Sequence, residues 1–207
     1  MRSLLILGAG AFAEEVSDLA TDAGFEVVGF VEGLDRNRCA ETLLGRPVVW
    51  IDDAEKLASS CETICAVGTT RRGRFISKMP GNLRFASVVH PSAHVSVTSA
   101  IHPGTLVGAH AVIGARCRIG PHVIINRGCL VGHHVEIGEC ATLSPGANIG
   151  GRACIGAQAY VGMGAIVLDS MSVGSGAVIG AGAVVTRNVP AQVEVRGVPA
   201  RVVKAVA

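Results

Sequence analysis

Lysine is scarce in this chain of 207 residues, and its basic and acidic residues are almost equal in number. Only Lys56, Lys78 and Lys204 are lysines among 18 basic residues, which 16 acidic residues balance to a net charge of +2. Aromatic residues make up 3% of the chain, and no basic stripe alternates with them as it does in nucleic-acid-binding surfaces. The composition therefore argues against a nucleic acid or another polyanion as the partner.

Features of membrane insertion and secretion are missing as well, although the mean hydropathy is +0.48. The uncharged stretch at residues 170–186 is rich in Gly, Ala and Ser and is shorter than the roughly 20 residues that a spanning helix needs. The N-terminal sequence has one Arg and a short apolar run, but its Gly-x-Gly and the Glu14-Glu15 pair do not suit a signal peptide. We expect a cytoplasmic protein without a membrane segment.

The cysteines form no C-x-x-C pair, and their odd number, seven, argues against a complete disulfide framework. Cys117 and Cys129 occupy a repeat position at which other residues are small, where cysteine acts as a small hydrophobe. A Cys–His nucleophile pair that uses Cys129 or Cys140 stays open, but no residue suggests a third, orienting group.

A six-residue repeat runs through the C-terminal part of the chain. From Val89 to Val185 every sixth residue is aliphatic, seventeen times in succession. The next residue is glycine at ten of these positions, and the fourth residue after the aliphatic is usually small. A period of six fits neither a helix nor a flat strand, whose periods are about 3.6 and 2. It predicts a parallel β-solenoid in which three hexapeptides form one rung and the aliphatic residues fill the interior.

The first 84 residues have a different pattern, in which strands alternate with helices, as is typical of a small parallel α/β domain. The predicted strands are at residues 3–7, 26–31, 47–51 and 63–68, and the predicted helices are at residues 14–23 and after Asp52 or Asp53, one of which caps the second helix. We therefore predict two domains. They are a Rossmann-like α/β domain at residues 1–84 and an all-β, left-handed parallel β-helix of hexapeptide repeats at residues 85–207.

A glycine-rich turn follows the first predicted strand. Gly8-x-Gly10-x-x-Ala13 stands between a strand and a helix, where glycines let backbone amides approach an anion. Glu32 ends the next strand, 22 residues after Gly10, near the distance at which an acidic residue meets a ribose. The turn is either a phosphate-binding loop or a tight turn that needs glycine for packing alone. About 85 residues do not supply the larger sheet and second half-site of a nicotinamide-dependent enzyme.

Several polar residues in the middle of the solenoid are not required by the repeat: Asn126, Arg127, His133, His134 and Glu136. His133 directly follows a repeat glycine, so we expect its ring to project from the wall near a corner. A histidine there suits a general base because its ordinary pKa, near 6.5, is close to the working pH. The alternative is an exposed histidine on a turn of the coil. The His-x4-His zinc pair of the gamma-class carbonic anhydrases, which share this solenoid, has no counterpart, and we expect no metal.

Five segments, in order, carry a resemblance to one family: LGAGAFAEEV, VVGFVEG, VVHPSAHV, IINRGCLVGHHVEIGECATLSPGA and VRGVPARVVK. Over nearly its whole length the chain resembles the sugar O-acyltransferases of the sialic acid O-acetyltransferase family. The best understood relatives are bacterial N-acetyltransferases of nucleotide-linked 4-amino-sugars. The resemblance implies acetyl transfer from acetyl-CoA to the sugar amine without an acyl-enzyme. It also implies a homotrimer, with the nucleotide sugar in the N-terminal domain and acetyl-CoA between neighbouring solenoids.

The same resemblance implies roles for single residues. His133 matches the general base, and the next position, usually Asp or Glu, is His134 here. Either the pair is tuned differently, or Glu136 or another carboxylate substitutes for the acid. The residues implied to contact acetyl-CoA are Asn126, Thr142, Gly151, Met163 and Ala181. Those implied to contact the nucleotide sugar are Gly10, Ala11, Phe12, Glu32, Gly33 and Gly68.

Two other functions stay open. One is an O-acetyltransferase that acts on a hydroxyl of a sugar or of sialic acid. The other is a trimeric scaffold that binds sugar nucleotides without catalysis, an alternative raised by His134 in the place of an acid.

Overall fold

The structure is a computed structural model that describes residues 2–70 and 72–206, and the chain divides into two compact units, Met1–Pro91 and Ser92–Ala207. The first unit contains β1 (Arg2–Leu7), α1 (Ala11–Asp22), β2 (Phe25–Glu32), a 3-10 helix (Arg36–Ala40), β3 (Thr42–Leu43), β4 (Arg46–Trp50), a second 3-10 helix (Ile51–Asp53), α2 (Ala54–Ala58), β5 (Glu62–Cys65), α3 (Arg72–Ile76) and β6 (Val88–Val89). Its sheet has the order β3-β4-β2-β1-β5, and all neighbours are parallel except β3 and β4.

The middle of this sheet is apolar because it is covered on both faces. In β1, Leu4 and the three residues that follow it are fully buried, as expected of a central parallel strand. The helix α1 packs through a small-residue face that includes Ala13, Val16 and Ala20. The α/β pattern predicted from the sequence is therefore the pattern observed.

Two predicted details of this unit differ from the structure. The helix α1 begins at Ala11 rather than at residue 14, because the extended Gly10 takes the N-cap position without a side chain. Asp53 occupies the N-cap position of α2, as predicted, but its carboxylate accepts a hydrogen bond from Lys56 at 2.8 Å and none from a helix amide.

The second unit is a parallel solenoid of two-residue strands, eighteen residues apart from one rung to the next. Its strands are β7 (His94–Val95), β8 (Ala100–Ile101), β9 (Leu106–Val107), β10 (Val112–Ile113), β11 (Arg118–Ile119), β12 (Ile124–Ile125), β13 (Leu130–Val131), β14 (Glu136–Ile137), β15 (Thr142–Leu143), β16 (Asn148–Ile149), β17 (Cys154–Ile155), β18 (Tyr160–Val161), β19 (Ile166–Val167), β20 (Ser172–Val173), β21 (Val178–Ile179), β22 (Val184–Val185), β23 (Val193–Arg196) and β24 (Arg201–Ala205).

These strands form three walls. We call the sheet β7-β10-β13-β16-β19-β22 the apolar wall and the sheet β8-β11-β14-β17-β20 the polar wall. The third wall runs β9-β12-β15-β18-β21-β23 and ends with the antiparallel β24. The three-walled parallel solenoid predicted by the six-residue period is thus present, and each hexapeptide supplies one strand of one wall.

The aliphatic positions of the repeat form the core of the solenoid. All fourteen from Val107 to Val185 are buried, whereas the three before them are half-buried at the beginning of the repeat. The glycine that follows an aliphatic residue allows successive rungs to approach. A Cβ on Gly108 would lie 2.6 Å from the amide nitrogen of Arg127, and one on Gly138 would lie 2.5 Å from that of Ala157.

A second period of six appears in the backbone. Every sixth residue from Gly104 to Gly182 has a positive φ, between 54° and 81°. We call these fourteen positions the left-handed column. Eight of them carry a side chain, and His134 is one of these, with φ 59°. These residues turn the chain at each corner, and their backbone conformation sets the directions of the side chains there.

None of the helices described in residues 2–70 and 72–206 is both long enough and apolar enough to cross a bilayer.

Candidate active site

His133 and Gly151 occupy equivalent places in successive rungs. Both lie in what we call the His133 corner, the turns that lead from the apolar wall to the polar wall, such as residues 132–135 and 150–153. A Cβ on Gly151 would lie 2.9 Å from both Cε1 and Nε2 of His133, so the imidazole rests against the Gly151 backbone. The missing side chain at residue 151 is what leaves room for the ring.

The His133 ring is hydrogen-bonded to the ring of His134. The two Nδ1 atoms are 3.0 Å apart, and the rings are nearly perpendicular, at 89°, with centroids 5.1 Å apart. Such a bond requires one nitrogen with a hydrogen and one with a lone pair. One histidine is therefore the donor and the other the acceptor.

Positive charges surround His134. In the left-handed column, Arg116 and Arg152 hold the equivalent positions one rung to either side of it. Desolvation, followed by repulsion from His133, Arg116 and Arg152, lowers the pKa of His134 below its ordinary value of 6.5. His134 is consequently a neutral imidazole at pH 7.

Glu136 forms an ion pair with a neighbouring residue of the polar wall. Its carboxylate lies 3.9 Å from the guanidinium of Arg118 on the neighbouring strand. Both side chains line a cavity of about 400 Å³ together with His134. Across the described residues, no carboxylate is hydrogen-bonded to either imidazole of the pair. The partner of the predicted base is thus the second histidine rather than Glu136.

The residues expected to contact acetyl-CoA are divided between two corners. Asn126, Met163 and Ala181 lie in what we call the Met163 corner, the turns that lead from the third wall into the apolar wall. Gly151 lies in the His133 corner, and Thr142 is buried on the third wall, in β15. The two corners are opposite edges of the apolar wall. A single chain therefore does not bring all five residues together.

The backbone amides at these corners differ in their availability. Within the described part of the chain, the amides of Met163 and Ala181 donate no hydrogen bond. The amide of Gly151 donates to Oδ1 of Asp169 at 2.6 Å. The side-chain amide of Asn126 donates to the Leu143 carbonyl at 2.9 Å. The Met163 corner therefore offers two amide donors on adjacent rungs to a ligand.

The first unit contains a cavity of about 640 Å³ where the chain leaves the carboxyl ends of its parallel strands. Ligands of open α/β sheets bind at such ends. Five of the six residues expected to contact the nucleotide sugar line it: Gly10, Ala11, Phe12, Glu32 and Gly68. Gly33 lies beside it instead. A Cβ on Gly33 would be 2.7 Å from the ring of Phe75, which does line the cavity.

Glu32 holds the loop at the mouth of this cavity. Its Oε1 accepts hydrogen bonds from the amides of Gly33 and Leu34, both at 2.8 Å. Its Oε2 lies 3.7 Å from the guanidinium of Arg38, which donates to the Ala9 carbonyl at 3.0 Å. The acid that the sequence suggested for a ribose is thus already bound to its own loop.

Three cations that were not predicted from the sequence line the same cavity: Arg38, Arg74 and Lys78. They come from the first 3-10 helix, from α3 and from the segment after α3, so no short motif contains them. Glu32 and Asp35 line the cavity as well, so the three cations leave it with a net charge of +1, which suits an anionic ligand.

Three cysteines of the solenoid, Cys117, Cys129 and Cys140, are buried packing residues, whereas Cys154 is exposed. Cys129 is buried, and its thiol donates to the Ser144 carbonyl at 3.1 Å. Burial raises the pKa of this thiol to about 11, which disfavours the thiolate that a nucleophile needs. Cys140 is also buried. Within the described residues, no three His, Cys, Asp or Glu side chains are grouped as metal ligands.

Residues 3–78 match the PglD N-terminal domain family. No curated protein sequence matches the chain. Among solved structures, PerB from Caulobacter crescentus, in complex with CoA and GDP-perosamine, is 30% identical to it, with a TM-score of 0.87 and 98% of both chains covered. A histidine-to-alanine variant of GDP-perosamine N-acetyltransferase from the same organism, with the same two ligands, is 29% identical, with a TM-score of 0.88, and covers 98% of this chain and 97% of that one.

The acetyltransferase domain of PglB from Neisseria gonorrhoeae is also 30% identical, with a TM-score of 0.89, and the match covers 98% of this chain and 100% of that domain. These matches extend over both units. They confirm the expectation of an acetyltransferase for nucleotide-linked amino-sugars. The chain belongs to the family of acetyl-CoA-dependent sugar N-acetyltransferases that includes PerB and the acetyltransferase domain of PglB.

Proposed function

We propose that this chain transfers the acetyl group of acetyl-CoA to the amino group of a nucleotide-activated amino-sugar, with His133 as the general base. The observation that carries this assignment is the held imidazole of His133, which rests on Gly151 and is hydrogen-bonded through Nδ1. PerB, which matches nearly the whole chain, was solved with CoA and GDP-perosamine. A sugar that carries an amine and a nucleoside diphosphate is therefore the substrate class.

The reaction is a direct transfer. Nε2 of His133 takes a proton from the sugar amine as the nitrogen attacks the thioester carbonyl. The new C–N bond forms, the C–S bond breaks, and the CoA thiol leaves with a proton returned by His133. The chain supplies no thiolate for an acyl-enzyme at Cys129, because burial raises the pKa of that thiol to about 11.

The cavity of the first unit is the proposed site of the nucleotide sugar. Arg38, Arg74 and Lys78 would neutralise the diphosphate, and the first turn of α1, at Ala11 and Phe12, would present backbone amides to it. Phe12 lines the cavity and would offer the sugar an apolar contact. Glu32 and Gly33 would act by shaping the adjacent loop.

The apolar wall is the proposed surface of a homotrimer of left-handed β-helices. Three of its outward side chains are exposed apolar groups, Val112 at 39%, Leu130 at 46% and Ile166 at 37%. Packing these walls between chains would bring the Met163 corner of one chain to the His133 corner of the next. Acetyl-CoA would then lie between them, with its pantetheine arm on the amides of Met163 and Ala181.

Transfer to a hydroxyl, as the wider sialic acid O-acetyltransferase family suggests, is the second reaction class for the same site. Acetyl-CoA and nucleotide sugars are metabolites of the cytoplasm, and the proposed location is accordingly cytoplasmic.

The test is acetyl transfer from acetyl-CoA to GDP- and UDP-linked 4-amino-sugars and to their hydroxyl counterparts, followed by mass spectrometry. We expect an amide product, and we expect His133→Ala to lower kcat by about 10²- to 10⁴-fold. His102→Ala, outside both proposed sites, is the matched control. Near-normal transfer by His133→Ala would overturn the proposed base. A melting temperature that acetyl-CoA does not raise would favour the non-catalytic scaffold.

A further inference from the structure

We propose that His134 is a positioning residue for His133: its neutral ring accepts a hydrogen bond at Nδ1 from the Nδ1–H of His133. This leaves the lone pair of His133 on Nε2, where the substrate proton is taken. The inference rests on the proposed role of His133 as the general base, and it assigns the second histidine the work that a carboxylate does in a His–acid pair.

The tautomers of the two rings follow from a count of their hydrogens. A 3.0 Å bond between two Nδ1 atoms holds one hydrogen. If His134 donates it, His133 carries its own hydrogen on Nε2 and has no lone pair for the substrate. If His133 donates it, Nε2 is free and His134 carries its hydrogen on its far nitrogen. Only the second arrangement keeps the bond intact when His133 takes up a proton, because the Nδ1–H is unchanged in the imidazolium.

The charges around His134 keep its ring neutral. Arg116 and Arg152 lie one rung to either side of it, and His133 is its direct neighbour. On the polar wall, Arg118 and Glu136 line the same cavity and face each other at 3.9 Å. Desolvation, and after it repulsion from His133, Arg116 and Arg152, disfavours a positive charge on His134 and lowers its pKa. At pH 7 and above, His134 is therefore an uncharged ring that can accept a hydrogen bond.

The backbone holds His134 in place independently of its side chain. His134 has φ 59°, and its amide donates to the Ala115 carbonyl of the preceding rung at 2.8 Å. The left-handed column thus fixes its Cα independently of the side chain. Histidine, asparagine and aspartate are the non-glycine residues enriched in this conformation. The same corner therefore accepts variants that test the acceptor without a change of backbone.

The pair should respond to pH as a unit. A proton on His134 converts its Nδ1 into a donor, so the hydrogen bond reverses and the hydrogen of neutral His133 moves to Nε2, where it blocks the lone pair. A proton on His133 removes the base directly. Because each charge repels the other, the pair takes up one proton on acidification, and this single proton stops catalysis whichever ring carries it. Activity should therefore rise with pH along one acidic limb.

Three variants tolerate a positive φ and differ in the acceptor. His134→Asn keeps an acceptor oxygen, His134→Gly removes the side chain, and His134→Asp adds a negative charge. We expect kcat of His134→Gly to fall roughly tenfold or more. The loss should not exceed the roughly 10²- to 10⁴-fold that a general base contributes in total. We expect His134→Asn to stay within about fivefold of the parent and His134→Asp to move the acidic limb to higher pH, because a carboxylate stabilises the His133 cation. Gln158→Gly, at φ 58° in the same column but away from both corners, is the control for the loss of a side chain.

The tautomer itself can be read without substrate. Long-range ¹H–¹⁵N correlation spectra of ¹⁵N-histidine-labelled protein at pH 7.5, assigned with His133→Asn and His134→Asn, report which ring nitrogen of His133 carries hydrogen. We expect hydrogen on Nδ1 in the parent chain and in His134→Asn, and a mixture of tautomers in His134→Gly. Hydrogen on Nε2 of His133 in the parent, or an unchanged spectrum and kcat in His134→Gly, would overturn the proposal. Since this readout needs no acceptor sugar, it separates failure of this proposal from failure of the proposed function.

Discussion

The imidazole of His133 rests against the backbone of Gly151, and a Cβ at residue 151 would lie 2.9 Å from its Nε2. The three atoms nearest to such a Cβ all belong to this ring, and Gly151 does not have a positive φ. We therefore expect Gly151→Ala to fold normally but to displace the ring. A shift of about 1 Å in a catalytic group can cost roughly 10²-fold, so kcat for acetyl transfer should fall by about tenfold to a hundredfold.

The control for this prediction is the double variant Gly151→Ala with His133→Ala. Without the ring, the added methyl group has nothing to displace, and the second substitution should leave the melting temperature of His133→Ala unchanged. Steady-state kinetics and thermal unfolding measure the two effects. A Gly151→Ala enzyme with full kcat would mean that the position of the ring does not depend on this contact.

The apolar wall gives a prediction about assembly. Val112→Asp combined with Ile166→Asp places two carboxylates on the surface that we propose to be buried between chains, where an unpaired charge costs several kcal/mol. Light scattering should show a fall from a trimer to the 21.1 kDa single chain, and transfer should be lost with it, because the two corners would no longer meet. Cys154→Asp, on the exposed polar wall, should change neither. A parent chain that is already monomeric at micromolar concentration would contradict the proposed trimer.

The sequence predicted the solenoid because its core depends on one side chain in six. Residues such as Ile113 and Val161 must be aliphatic to fill the interior, and many of them are followed by a glycine because the next rung approaches closely there. Both requirements restrict the residue type and can therefore be recognised in the sequence. The left-handed column is equally regular in the backbone but is occupied by residues as different as Arg116, Gln158 and Ser170. Six of its fourteen positions are glycine, but the other eight carry different side chains, so residue type alone does not reveal the column.

The candidate site was predictable only in part, for the same reason. His133 and Asn126 stand out against the repeat, but the bond from His133 to His134 and the contact with Gly151 depend on corner geometry and on an eighteen-residue offset. In the first unit, Gly10 and Glu32 follow a local motif. The cations Arg38, Arg74 and Lys78 converge from separate elements, and only the folded sheet brings them to one cavity.

Those cations give a prediction about the nucleotide sugar. The double variant Arg74→Gln with Lys78→Gln should raise the KM for the nucleotide sugar about tenfold or more, since a charged hydrogen bond contributes about 1.5–3 kcal/mol. The KM for acetyl-CoA should not change. Lys56→Gln, which removes an exposed cation paired with Asp53 outside this cavity, is the matched control. If the double variant and the Lys56→Gln control changed the KM values of both substrates equally, this would argue against a diphosphate in the cavity.

The buried thiol of Cys129 distinguishes direct transfer from an acyl-enzyme. With a pKa raised to about 11 by burial, roughly one thiol in a thousand is ionised at pH 8, whereas a cysteine nucleophile reacts as the thiolate. We therefore expect iodoacetamide at pH 8 to label the exposed Cys154 and to leave Cys129 unlabelled, as read by peptide mass spectrometry.

The variant Cys129→Ala should keep kcat within about twofold, because alanine fills the same small position in other rungs. It should lose about 1 kcal/mol of stability, because the hydrogen bond to the Ser144 carbonyl is lost. An acetyl adduct on Cys129 in the parent, or loss of transfer in a folded Cys129→Ala trimer, would replace the direct mechanism with a two-step one. If Cys129→Ala retains acetyl transfer and His133→Ala loses it, the imidazole of His133 is the catalytic group.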